Sequence, residues 1–98
     1  MTVQEHLLVI LMEECSELQK LAAKALRFGP HEVWPEHPEL GSNAQRMQQE
    51  WNDLVAVVEL LRETGISLSC SGKEIEAKQL KIQNYMVYSR DQGTLDPA

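Results

Sequence analysis

Aromatic residues are scarce in this chain: one Phe, two Trp and two Tyr among 98 residues. Apolar residues still make up 43% of the sequence, so any core must be aliphatic, built from Leu, Val, Ile, Ala and Met. Cysteine is as sparse. Cys15 and Cys70 lie far apart and form no CxxC unit, which excludes a disulfide scaffold and points to reduced thiols. Long apolar runs are missing too. The run Leu7 to Met12 is too short for a membrane span, is followed at once by Glu13, and has no basic segment before it. Basic residues are in deficit, nine against fifteen acidic, for a net charge of −6. That balance disfavours nucleic acid and an anionic membrane surface as partners. A soluble cytoplasmic protein is expected, and one acting on a polyanion would need metal ions to reverse the local field.

A length of 98 residues suits one small domain whose modest core invites association into a dimer or tetramer. No strand-like alternation competes with three helical segments. The first opens on a capping-box pair, Thr2 with Glu5, and stops near Arg27 ahead of Phe28-Gly29-Pro30. The second is predicted from Ser42, with Gln45 as capping partner, to Glu63. The third runs from Ser71, with Glu74, to Arg90. One helical domain over residues 1–92 and a loose tail over 93–98 are expected. The connection Gly29 to Gly41 is long, holds Pro30, Pro35, Pro38, His31, Trp34 and His37, and reads as a lid.

Two acidic clusters interrupt the apolar pattern: Glu13-Glu14-Cys15-Ser16-Glu17 and Glu50-Trp51-Asn52-Asp53. A carboxylate is costly to bury without a partner. On a wheel of roughly 100° per residue, Leu7, Leu11, Cys15, Leu18, Ala22 and Ala25 centre the apolar face of the first helix. Glu14 falls inside that arc, Glu17 at its edge and Glu13 beyond it. In the second helix the centre is Met47, Trp51, Leu54, Val58 and Leu61, with Glu50 inside the arc and Asp53 on the same flank. If the two faces pack, the carboxylates converge, and divalent cations would relieve their repulsion. The third helix carries Ile75, Ile82 and Met86 as its apolar line. Lys78, Lys81, Tyr85 and Tyr88 flank that line and could face phosphate oxygens.

Simpler readings compete. Acidic residues on helices often form a solvated face, and Lys78 or Lys81 could pair structurally with Glu17 or Asp53. Lys20, Lys24 and Arg27 read as surface residues. Trp51 and Cys15 read as core, while Trp34 is divided between packing and ligand stacking. His31 and His37 lack zinc-ligand spacing and an accompanying Cys.

The two clusters together resemble the EExxE…ExxD signature of the MazG-like all-α nucleoside triphosphate pyrophosphohydrolases. The likeness spans roughly residues 5–90, through Leu18–Leu26, Leu54–Leu61 and the lysines of the third helix. The stretch between Glu17 and Glu50 is longer than is usual there, a difference the Pro-rich loop absorbs. The ending Tyr88-Ser89-Arg90 with Gly93-Thr94-Leu95 is similar to short phage-encoded members, which would place the protein in a host cytoplasm. The resemblance implies an all-α fold: three main helices per chain in a four-helix-type bundle completed by a homodimer or homotetramer. It implies Mg²⁺, with Mn²⁺ as a substitute, held by Glu14, Glu17, Glu50 and Asp53. Glu13 would activate water or hold a further metal.

The implied reaction converts a nucleoside triphosphate to the monophosphate and pyrophosphate. Lys78 or Lys81 would stabilise the leaving group, and Trp34 and Tyr85 would contact the nucleotide. Three narrower or different readings stand beside it. They are a phage enzyme selective for a purine deoxynucleotide such as dGTP, a phosphoribosyl-ATP pyrophosphohydrolase, and a non-enzymatic helical adaptor with an acidic face.

Overall fold

Local chemistry sets the helix ends in a computed structural model that describes residues 1–98. It contains α1 (Val3–Phe28), a short 3-10 turn (Pro38–Leu40), α2 (Asn43–Glu63) and α3 (Gly72–Asp91), with no strand. The all-α expectation is met. Thr2 Oγ1 accepts from the Glu5 amide at 3.1 Å to start α1. Gly29 ends it at φ 98°, a backbone angle that favours glycine, with its N–H on the Ala25 carbonyl. At α2, Ser42 and Gln45 form a reciprocal capping box, at 3.1 Å and 2.8 Å. Ser71 caps α3 through the Glu74 amide.

The chain divides into two units, Met1–Leu68 and Ser69–Ala98. In the first, α1 and α2 run antiparallel. Gln4 Nε2 donates to the Thr64 carbonyl at one end, and Asn43 Nδ2 donates to the Gly29 carbonyl at the other. Leu7, Val57 and Leu61 form the core, supported by Leu8, Ile10, Leu11 and Ile66. The loop is tied to the start of α2: the Asn43 amide donates to the Glu32 carbonyl and the Ala44 amide to that of Pro30. With the capping box, these bonds satisfy the first turn of α2.

On each helix two buried residues lie fourteen apart, a span of two heptads. Leu7 and Leu21 are buried on α1, and Asn43 and Val57 on α2. Glu14 is midway between the first pair (7, 14, 21) and Glu50 midway between the second (43, 50, 57). Seven residues bring a helix back to nearly the same azimuth, so both carboxylates lie on the seam itself. This turns the centre of each face by roughly 50° from the expected wheel, with Leu7 and Leu61 buried as expected. Cys15, the residue after Glu14, turns to solvent instead of joining the core. Trp51, the residue after Glu50, does the same and is 53% exposed. Ala22 is exposed as well, while Leu11, Leu18, Ala25, Met47, Leu54 and Val58 are half-buried.

In the second unit, α3 buries no residue, and Ile75, Ile82 and Met86 remain exposed. Residues after α3 fold back on its end. The Thr94 and Leu95 amides donate to the Ser89 carbonyl, and Arg90 Nε donates to that of Asp96 at 3.1 Å.

Candidate functional site

The seam places three carboxylates in one group. Oxygens of Glu14, Glu50 and Asp53 lie within 4.8 Å of one another, and all three residues are half-buried. Glu14 and Glu50 come from facing heptad positions, and Asp53 follows Glu50 by three residues on the same side of α2. Glu50 is the most constrained. Its Oε1 is buried and accepts no hydrogen bond. Its carboxyl is pushed up to about 7, first because a proton on it can be shared with Glu14. Burial comes next, followed by the charges of Glu14, Asp53 and Glu17. No Lys, Arg or His forms an ion pair with any of the three; the two pairs present are Lys20–Glu17 and His37–Glu39.

Converging carboxylates with an orphaned buried oxygen suit a hard divalent cation, which takes oxygen ligands and supplies the missing positive charge. Mg²⁺ would fit this donor set, and Glu14, Glu50 and Asp53 would be the residues to hold it. Glu17 is exposed, adds no oxygen to the trio and accepts from Lys20 Nζ at 3.2 Å. It borders the same region, because Glu17, Leu21, Leu40, Arg46, Gln49 and Glu50 line a cavity of about 200 Å³. Glu13 is exposed on the next azimuth of α1 and stands outside the trio. Lys78, Lys81 and Tyr85 belong to α3, in the second unit, and all three are exposed there.

A larger cavity, about 360 Å³, opens where the end of α1, the loop and the start of α2 meet. Lys24, Phe28, Glu32, Trp34, Asn43 and Arg46 line it. That volume lies in the range of small-molecule sites. Trp34 offers an indole face, with Lys24 Nζ 6.0 Å from its centroid and the His37 ring 4.7 Å away. Glu32 is fixed: Asn43, 2% exposed, donates through Nδ2 to Glu32 Oε2 at 3.0 Å. The cavity thus combines an aromatic platform, a positioned carboxylate and two cations.

Of these lining residues, the sequence reading named only Trp34 as a ligand contact, and it assigned Lys24 to the surface. Asn43, Glu32 and Arg46 were not singled out. Arg46 had a legible signal, since it precedes Glu50 by four residues and shares its face of α2. Asn43 had one too, at the heptad position before Glu50. Glu32 had none, because its placement depends on the path of the loop. No family model, no curated protein and no solved structure matches the chain.

Proposed function

We propose that the protein is a Mg²⁺-dependent nucleoside triphosphate pyrophosphohydrolase. The observation that carries this reading is the trio Glu14, Glu50 and Asp53, with its orphaned buried oxygen and no cationic partner. A structural role would ask for a salt bridge or neutral packing at that place on the seam. Bound there, Mg²⁺ supplies charge neutralisation for the triphosphate and activation of the hydrolytic water. The chain's own residues do the rest. Glu14 and Glu50 present oxygens from opposite sides of the seam, and Asp53 adds a third from the flank. Glu13 and Glu17, both exposed beside them on α1, are the candidates to take the proton from water.

The chain buries only four apolar side chains, all in the first unit, while α3 leaves its apolar line uncovered. We read this as a protomer whose helical bundle is completed by further copies, as a dimer or tetramer. The phosphoribosyl-ATP and adaptor readings have no observation in their favour. A guanine-selective form of the same activity has one. Glu32, held by Asn43 beside Trp34, offers a carboxylate to a ligand edge. Guanine presents two adjacent N–H donors to such an acceptor, and its O6 and N7 suit the Lys24 ammonium beside Trp34.

The test is pyrophosphate release from a panel of ribo- and deoxyribonucleoside triphosphates with Mg²⁺. Release is expected from the wild type, and loss of it from Glu14→Gln and Glu50→Gln proteins that still fold. Turnover at the wild-type rate in both variants would end the assignment.

A further inference from the structure

Arg46 occupies an unusual place. It is half-buried and forms no ion pair or side-chain hydrogen bond, although carboxylates stand near it. It lines both cavities. On one side lies the larger cavity with Phe28, Trp34 and Glu32. On the other lies the smaller one, which Glu17 and Glu50 border. Arg46 is also one helical turn before Glu50 on α2, so its side chain and that carboxylate share a face.

The electrostatics give this position a use. A phosphate chain approaching Glu14, Glu50 and Asp53 meets three carboxylates, and each repels it. In the larger cavity, Lys24 and Arg46 outweigh Glu32 by one positive charge. Arg46 is the cation the two spaces share. A guanidinium carries five donors in a planar fork that matches phosphate oxygens, and an unpaired one needs no bond broken before it binds.

We propose that Arg46 is a phosphate-binding residue that joins the two cavities into one nucleotide track. The nucleoside lies in the Phe28–Trp34 cavity, its 5′-phosphate is held by the Arg46 guanidinium, and the remaining phosphates extend toward the acidic trio. The inference rests on the pyrophosphohydrolase reading for its substrate class, but its test does not need turnover. The α2 N-terminus is not an alternative anion site, because its amides are already bonded to Ser42, Glu32 and Pro30.

The experiment measures binding of the four deoxynucleosides and their 5′-monophosphates to the full chain in EDTA, by Trp fluorescence or calorimetry. The wild type is expected to bind at least one monophosphate about tenfold more tightly than its nucleoside. Arg46→Ala and Arg46→Gln should erase that difference and leave nucleoside affinity within about twofold. Arg46→Lys should restore part of it, because a point charge replaces the fork. Helix content by circular dichroism should be unchanged, since Arg46 supports no other group. A wild type that does not prefer any monophosphate overturns the proposal. So does an Arg46→Ala protein that keeps the preference. The two readings separate cleanly. Pyrophosphate release with an unaffected Arg46→Ala protein keeps the activity and removes the track. An Arg46-dependent monophosphate preference without pyrophosphate release does the reverse.

Discussion

Replacing Glu50 by Gln should make the metal-free protein more stable, not less. The carboxyl is pushed from 4.5 to about 7 in the folded chain by Glu14, burial and the neighbouring charges. A carboxyl whose folded pKa lies above its unfolded value favours folding only while protonated. That contribution is complete below pH 4.5 and is lost as pH rises through about 7. At 1.36 kcal/mol per unit, the full shift amounts to about 3 kcal/mol. Solvent reaches this half-buried site, and screening reduces the figure to about 1–2 kcal/mol. Gln carries no charge, and its amide can donate to Glu14. In EDTA at about pH 8, Glu50→Gln should therefore melt roughly 5–10 °C above the wild type. At about pH 5 the gap should shrink, because the wild-type carboxyl is then largely protonated. With Mg²⁺ the order should change: the wild type gains and the variant does not. The assay is a thermal melt across pH, in EDTA and in Mg²⁺. A Glu50→Gln protein less stable than wild type in EDTA at pH 8 would refute the view that the seam holds uncompensated charge.

Four other outcomes follow from the fold and the site. Mg²⁺ or Mn²⁺ at a hundredfold excess over its Kd should raise wild-type stability by about 2.7 kcal/mol, seen as a higher melting temperature, and no shift would favour a helical adaptor. Asn43→Ala should cost about 1–3 kcal/mol in urea unfolding, because the Gly29 carbonyl and the Glu32 carboxylate both lose a donor. The same variant should blunt any preference among nucleobases, measured by pyrophosphate release, as Glu32 is no longer held. Leu61→Ala removes the most buried side chain of the core and should cost about 2–5 kcal/mol by the same unfolding measurement.

The helix boundaries were legible because local chemistry writes them. Thr2, Ser42 and Ser71 each accept from the amide three residues on, and Gly29 ends α1 at a positive φ. The acidic group was legible for a related reason. Glu14 and Glu50 stand where apolar residues belong, and only a facing helix makes sense of both. The azimuth of the seam was less so. A wheel averages every apolar residue, and Cys15 and Trp51 drew its centre roughly 50° too far. What decides the seam is the pairing of two helices, which no single wheel contains. The larger cavity was harder still. Its walls depend on how the loop returns, through the Glu32 and Pro30 carbonyls, to the start of α2. Those bonds use backbone groups that every residue carries, so side-chain identity does not announce them.

The seven-residue spacing on the seam has a bearing on how such a chain can vary. Glu14 lies midway between Leu7 and Leu21, and Glu50 between Asn43 and Val57, so each carboxylate is indexed to its own helix and not to the connection. Adding or removing residues near Pro35 leaves both registers intact. Losing a single residue between Glu50 and Val57 turns that carboxylate by roughly 100° relative to the core residues Val57 and Leu61, off the seam and into solvent. Length is thus free to drift in the segment that shapes the ligand cavity and is locked in the segments that carry the acidic oxygens. A lineage built on this hairpin can remodel what it admits without disturbing where its charge converges.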